Sequence, residues 1–144
     1  MGQVLKYLLD TDLLSQVTKI TSDQVVEQWL ATMNLEDSFI SVITLQEIQT
    51  GIDLLPAGRR REALIRWFTR DVVVGFAERT LPVSSAIALE CGVLVAAAKL
   101  GGHTADSGDA LIAATAKVHG LQMVTLNRKR FVRLGVMPID FEGH

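Results

Sequence analysis

The chain has 144 residues, 49% of them hydrophobic, and this length and composition predict one domain with a single sizeable core. The formal net charge of −2 and the pI of about 5.9 exclude a strongly basic protein, so any nucleic-acid contact must come from local basic patches. Cys91 is the only cysteine, which excludes an internal disulfide. No apolar stretch has the length of a signal-peptide core or of a membrane span. We therefore expect a soluble, cytoplasmic protein without a membrane partner.

Predicted strands and helices alternate along the chain. Continuous apolar runs favour buried strands, and apolar residues at helical spacing favour helices packed on a sheet. The predicted strands cover residues 4–9, 39–43, 80–83, 121–125 and 137–139, and Pro82 favours a sheet edge for the third. The predicted helices cover residues 13–17, 25–33, 44–55, 59–76, 86–100 and 109–119. This alternation predicts an α/β protein with a mostly parallel central sheet and helices on both faces.

Capping residues mark the starts of several predicted helices. Ser22 or Asp23 precedes the second helix, Ser84 or Ser85 the fifth, and Asp106 or Ser107 the sixth, which Gly120 ends. Thr44 and Glu47 have the spacing of a capping box and predict that the third helix begins there.

Three acidic residues follow strand ends or begin helices. Asp10 ends the first strand, and Glu47 and Asp109 each lie in a predicted first helical turn. Strand ends and the helix starts beside them share one edge of a parallel sheet, so the three carboxylates are expected to converge there. Oxygen-only ligands suit Mg²⁺ or Mn²⁺, which can bind phosphate oxygens and lower the pKa of a bound water. The pattern therefore indicates a cation site for phosphodiester cleavage.

Each of these acids also has a structural interpretation. Glu47 is explained equally by its capping box, Asp109 by the favourable interaction of a negative charge with a helix N-terminus, and Asp10 by capping of the following helix. Only their convergence in space would favour the cation site.

Four stretches resemble, in order, the motifs of PIN-domain proteins, and most closely the VapC/FitB-like toxins of type II toxin–antitoxin pairs. They are YLLDTD at 7–12, SVITLQEIQTG at 41–51, DALIAATA at 109–116 and VTLNRKRF at 124–131. The resemblance extends over essentially the whole chain. It implies that residues 1–144 form a single PIN domain with a three-layer α/β/α fold.

The same resemblance implies an Mg²⁺- or Mn²⁺-dependent endoribonuclease that forms a homodimer and is inhibited by a cognate VapB-like antitoxin. DNA would be bound only indirectly, through the antitoxin. By position, Asp10, Glu47 and Asp109 match the family's acidic metal-site residues, and Asn127 falls where many members carry a fourth acid. Because no histidine pair supports attack by the 2′-hydroxyl, we expect in-line hydrolysis that leaves 5′-phosphate and 3′-hydroxyl ends.

This chain departs from the family pattern at two positions. Asn127 replaces a carboxylate with an amide, and Arg130 stands where many relatives have Asp before the Phe. Both changes weaken the case for a second metal. Asp12, where many relatives have Asn, either restores negative charge or caps a helix. Thr11 and Thr125 are accessory candidates that orient water or a ligand, or serve as turn residues.

A basic cluster follows Asn127. Its members are Arg128, Lys129, Arg130 and Arg133, which bind RNA phosphates or form a solvated helix start. Two alternative functions remain open. One is a catalytically weak PIN module that acts mainly through its antitoxin complex, and the other is a receiver-like phosphoacceptor domain. The receiver needs a second Asp and a Lys at strand ends, which the strand ends at residues 83–84 and 125–127 do not supply.

Overall fold

A four-stranded parallel sheet lies at the centre of the molecule. The computed structural model describes residues 5–17 and 24–141. Its strands are β1 (Tyr7–Leu9), β2 (Ser38–Ser41), β3 (Thr80–Leu81) and β4 (Gln122–Val124). They lie in the order β3-β2-β1-β4, and every neighbouring pair is parallel. The predicted parallel sheet is confirmed, and β3 is at its edge as predicted.

Helices connect the strands and cover the sheet. They are α1 (Thr11–Val17), α2 (Gln24–Leu30), α3 (Val42–Asp53), α4 (Arg59–Trp67), α5 (Ser85–Leu100), α6 (Ser107–His119) and α7 (Arg128–Val132). Two 3₁₀ turns, at Leu35–Asp37 and Ala77–Arg79, and a π-helical segment, Phe68–Val74, complete the described elements. Within residues 5–17 and 24–141, no helix is long and apolar enough to cross a membrane.

The core has two halves because successive strand residues point to opposite faces of the sheet. Leu8 and Met123 face one layer, where they pack with buried residues of α5, α6 and α7. Leu9 and Val124 face the other layer, with buried residues of α1, α2, α3 and the π-helical segment. The three-layer α/β/α architecture follows from this division.

The predicted caps of α5 and α6 are confirmed. The Ser84 hydroxyl accepts a hydrogen bond from Ile87 N at 3.2 Å, and Asp106 Oδ1 accepts one from Asp109 N at 3.1 Å. Gly120 ends α6 in the left-handed conformation, with φ of 65°. The predicted cap residues Ser22 and Asp23 lie outside the described residues, as does the start of the first predicted strand at Val4.

The predicted start of α3 is wrong. Ser41 caps this helix, because its hydroxyl accepts from Ile43 N at 3.0 Å, and Val42 and Ile43 are helical rather than part of β2. Thr44 and Glu47 therefore form no capping box, and Glu47 lies in the second turn. The β-branched pair Val42-Ile43 favours a strand locally, but β2 ends where its pairing with β3 ends, at Ser41 and Leu81.

Two other predictions need correction. The helix expected over 59–76 is α-helical only to Trp67 and then widens, with Gly75 N donating to Arg70 O at 3.1 Å. The strand expected at 137–139 does not form, although Ile139 N donates to Met123 O at 2.9 Å. The residues after Asn127 form the short helix α7, in agreement with the helix start that is one interpretation of the basic cluster.

Candidate active site

Asp10 lies at the carboxyl end of β1, directly beside the end of β4. Its backbone N–H donates to Val124 O at 2.9 Å, which continues the pairing of the two strands by one residue. The side chain is only 1% exposed. Oδ1 accepts from Thr11 N at 2.8 Å, and Oδ2 accepts from the Thr125 hydroxyl at 2.8 Å. Thr125 is itself fully buried and accepts from Asn127 N at 3.0 Å, so it positions Asp10 from the next strand.

Asp109 reaches the same place from the first turn of α6. Asp106 caps that helix and so determines where its first turn begins. The Asp109 side chain is buried. Burial raises the pKa of Asp109, and the charges of Asp106, Asp10 and Glu47 add to the rise, whereas Arg130 lowers it. These four residues therefore act electrostatically on Asp109, as expected if the carboxylates converge.

Arg130 joins the buried carboxylates. Its Nη2 lies 2.7 Å from Asp10 Oδ2, and its Nη1 lies 3.2 Å from Asp109 Oδ1. The same Nη2 lies 3.6 Å from Asp12 Oδ2. One guanidinium thus contacts three carboxylates. Its Nε is buried and has no hydrogen-bond partner within the part of the chain that the structure describes.

Glu47 faces the site from α3 but is held differently. The Thr11 hydroxyl donates to Glu47 Oε1 at 2.7 Å, and the buried Thr44 hydroxyl lies 3.4 Å from that of Thr11. A β-carbon on Gly108 would lie 3.6 Å from Glu47 Oε2 and 3.0 Å from Asp106 Oδ1. The absence of a side chain at Gly108 therefore leaves room for the capping carboxylate of Asp106, and Glu47 lies at ordinary van der Waals distance from the same position.

Asp12 lies at the outer side of this group. Its Oδ1 accepts from Leu126 N at 3.2 Å. Burial raises the pKa of Asp12 to about 6, and the nearby charge of Asp10 adds to the rise, while the Leu126 hydrogen bond and the charge of Arg130 oppose it. Asp12 therefore links the first turn of α1 to the segment that follows β4, and it contributes negative charge beside Asp10.

The side chains of the basic cluster point in different directions. Lys129 and Arg133 are exposed, whereas Arg128 Nη2 donates to Pro138 O at 3.4 Å and Arg130 turns onto the carboxylates. Asn127 is exposed, and it lines a cavity of about 550 Å³ together with Arg128 and Lys129. The predicted residues therefore share one edge of the sheet, but they do not all face one point.

The donor set fits a hard divalent cation in its chemistry. Asp10, Asp12 and Asp109 provide only oxygens, and a single guanidinium leaves their combined charge negative. The geometry is arranged around Arg130 instead. Among the described residues, no three His, Cys, Asp or Glu side chains are grouped so that they could hold a metal ion directly.

Sequence reasoning missed three contributors to this arrangement. Thr44 was assigned to the capping box, Asp106 only to the helix cap, and Gly108 was not singled out. The sequence contained a signal for Gly108, because glycine destabilises a helix and its presence in a first helical turn therefore indicates that a side chain would not fit there. The direction of Arg130 had no local signal.

A family model and several curated proteins match most of this chain. The PIN domain family model matches residues 7–136. The chain is 31% identical over 133 residues to VapC ribonuclease Y4jK of Sinorhizobium fredii, covering 92% of this chain and 95% of that protein. It is 32% identical over 124 residues to Toxin FitB of Neisseria gonorrhoeae, covering 86% and 89%.

Solved structures agree with this result. The crystal structure of FitAcB from Neisseria gonorrhoeae superposes with a TM-score of 0.83 at 30% identity, over 96% of this chain and 99% of that one. DNA-bound VapBC from Salmonella typhimurium superposes with a TM-score of 0.72 at 28% identity, over 96% and 99%. With a family model that matches most of its length and acidic residues gathered at the carboxyl edge of a parallel sheet, this chain belongs to the PIN-domain family.

Proposed function

We propose that this protein is an endoribonuclease toxin of a type II toxin–antitoxin system and that its activity depends on Mg²⁺ or Mn²⁺. The observation that carries the proposal is that Asp10 and Asp109 come together at the carboxyl edge of the sheet. The guanidinium of Arg130 lies 2.7 Å from the Asp10 carboxylate and 3.2 Å from that of Asp109. Relatives of similar length named as a ribonuclease and a toxin support it. Membership in the PIN-domain family also counts against the receiver-domain alternative.

The positions of the site residues support a role for each of them in this proposal. Asp10 and Asp109 would ligate the metal, and Glu47 would ligate it or orient the attacking water. A bound Mg²⁺ or Mn²⁺ would supply Lewis-acid activation of the water and of the scissile phosphate. Thr125 holds Asp10 and Thr11 holds Glu47 through their hydroxyls. Asn127, which is exposed, would contact substrate or serve as a neutral ligand.

The exposed basic residues beside the site would bind the RNA backbone. Lys129 lies on α7, which begins directly after Asn127, and Arg133 follows the last residue of this helix. Phosphate contacts of this kind orient a nucleic acid without reading its sequence. Attack in line on phosphorus would leave 5′-phosphate and 3′-hydroxyl ends, and the enzyme would act in the cytoplasm, where RNA is abundant.

A partner antitoxin is part of the proposal. One similar structure is described as a toxin–antitoxin complex from Klebsiella pneumoniae, and the similar FitAB and Salmonella typhimurium VapBC structures are bound to DNA. We infer that a VapB-like antitoxin binds and inhibits this chain and that DNA is bound only through it. We also infer a homodimer, and the apolar residues exposed on α5, among them Leu89 and Val93, support this inference.

RNA cleavage by the Asp10→Asn variant tests the proposal. We expect cleavage to fall by about two to three orders of magnitude, because a loss of that size is typical when a group that stabilises the transition state is removed. The amide also loses the charge-assisted bond to Arg130, so thermal unfolding should occur at lower temperature, and activity is compared well below that temperature. Glu78→Gln, at an exposed site, is the matched control and should cleave normally.

Excess EDTA and analysis of the product ends complete this test. EDTA should stop wild-type cleavage, and added Mn²⁺ should restore it. Full activity in Asp10→Asn or in EDTA, or products with a 2′,3′-cyclic phosphate, would contradict the proposal.

The contact of Arg130 with the carboxylates favours one second candidate, a weakly catalytic module that acts mainly through its antitoxin complex. Calorimetric titration with Mn²⁺ separates the two candidates. Binding that depends on Asp10 supports the enzyme, whereas no carboxylate-dependent binding supports the weak module.

A further inference from the structure

Arg130 takes the coordination positions that a metal would need. Its two terminal nitrogens bond to Asp10 Oδ2 and Asp109 Oδ1, the oxygens of the two buried acids that face each other across the site. A Mg²⁺ or Mn²⁺ ion bound by both acids would lie about 2 Å from each ligand oxygen. The guanidinium and the ion cannot both occupy that space.

The carboxylates around Arg130 carry more negative charge than its single guanidinium can neutralise. Three carboxylates contact the single positive charge of Arg130, and Asp106 and Glu47 add negative potential at Asp109. A dication compensates this charge better than a guanidinium does. The site therefore keeps a driving force for exchanging Arg130 for a metal ion.

The surroundings of Arg130 give it a route out of the site. Its side chain is 37% exposed, and its buried Nε lacks a partner among the described residues, so the guanidinium is incompletely bonded. A cavity of about 130 Å³ adjoins it and is lined in part by Thr104, Asp106 and Arg133. This cavity offers space that the guanidinium could enter by rotation about the side-chain bonds of Arg130.

We propose that Arg130 is a built-in counter-ion that competes with the divalent metal, so that metal binds only when Arg130 leaves Asp10 and Asp109. The inference rests on the proposed function for the identity of the metal site. It adds that this chain carries its own inhibitor of metal binding at the position next to Phe131. The released side chain then joins Lys129 and Arg133 on the RNA-binding side.

Mn²⁺ affinity of the complete chain, measured by calorimetry without RNA, tests the inference. Arg130→Gln should bind Mn²⁺ at least about tenfold more tightly than wild type, because the competing charge is gone. Arg130→Lys should fall between the two, since an ammonium group lacks the fork that spans both acids. Arg59→Gln, which removes an exposed arginine at the start of α4, is the matched control and should match wild type.

A measurement on the wild-type protein covers the case in which Arg130→Gln does not fold. In ¹⁵N NMR spectra, the side-chain Nε–H resonance of Arg130 should shift as Mg²⁺ saturates the site. Saturation without any shift of this resonance would overturn the inference.

The outcomes separate the two levels of the proposal. If wild-type Mn²⁺ binding depends on Asp10 but Arg130→Gln binds Mn²⁺ no more tightly than wild type, the competition is overturned and the proposed function is left intact. No Mn²⁺ binding by any of the folded variants would overturn the metal-dependent function and the competition together.

Discussion

At the scale of single residues, the acids of the site are held by different kinds of partner. The negative charge of Asp10 is compensated by the guanidinium of Arg130, whose Nη2 lies 2.7 Å from Asp10 Oδ2, and the Thr125 hydroxyl donates to the same oxygen. Glu47 receives the Thr11 hydroxyl at 2.7 Å. Removal of the Asp10 charge therefore disturbs Arg130 as well, and the effects of substituting these two residues should not be additive.

Asp12→Asn should change how stability depends on pH in the metal-free protein. The pKa of Asp12 in the folded state is about 6, against 3.8 for the ordinary group, so the folded state holds a proton that the unfolded state releases between these values. The resulting stabilisation is complete below about pH 3.8 and is lost as the pH rises through about 6. The wild-type free energy of unfolding minus that of the variant should therefore fall across this range.

Urea unfolding in EDTA at several pH values across this interval measures the difference. Glu78→Gln serves again as the control at an exposed position, and its difference from wild type should not fall over the same interval. A wild-type advantage over Asp12→Asn that grew with pH would contradict the raised pKa. With metal present, the same variant should bind Mn²⁺ less tightly, because one negative charge beside Asp10 is lost.

At the scale of elements, the starts of three helices place the acids. α1 begins directly after Asp10, the second turn of α3 carries Glu47, and the first turn of α6 carries Asp109. Each start depends on the end of a strand or on a capping side chain. A cap on one of these helices therefore contributes to the site as well as to stability.

Ser41→Ala should affect both stability and activity. Loss of the bond from Ile43 N removes the cap of α3 and should lower the free energy of unfolding by about 1 kcal/mol. Because α3 carries Glu47, RNA cleavage should also fall severalfold. Ser84→Ala removes the corresponding cap of α5 and is the matched control, with a similar loss of stability and normal cleavage. Equal activity of the two variants would show that the start of α3 does not matter to the site.

At the scale of the whole molecule, the close packing of α6 keeps the edge of the sheet in place. The buried residues of this helix are mostly alanines, and they lie in the same cluster as Leu8 of β1, Ile87 of α5 and Phe131 of α7. Small side chains bring α6 near its neighbours. This packing brings Asp109 to Asp10 and directs Arg130, which neighbours Phe131, toward both.

Ala113→Leu should test this packing. Ala113 is fully buried, and the larger side chain should lower the free energy of unfolding by about 1–3 kcal/mol through overpacking. Ala63→Leu, at an exposed position of α4, is the control and should unfold nearly as wild type does. Denaturant unfolding of both variants provides the comparison. A destabilisation no larger than that of the control would mean that the space around Ala113 can expand.

Much of the architecture could be predicted because it depends on local signals. The apolar run before Asp10, the caps Ser84 and Asp106, and the glycine at 120 each act within a few residues of the element that they define. The start of α3 was mispredicted because both Ser41 and Thr44 are suitable caps. The choice between them depended on where β2 stops pairing with β3, which is a tertiary property.

By itself, the sequence determined that Asp10 ends a buried strand and that Asp109 lies in a first helical turn, because hydrophobic runs and capping side chains act locally. Only the tertiary structure decided that these acids meet and that Arg130 lies between them. Arg130 and Asp10 are 120 positions apart, and the direction of Arg130 depends on how α7 packs Phe131 into the core. A charge run such as residues 128–130 predicts solvated side chains, and only folding shows which of them turns inward.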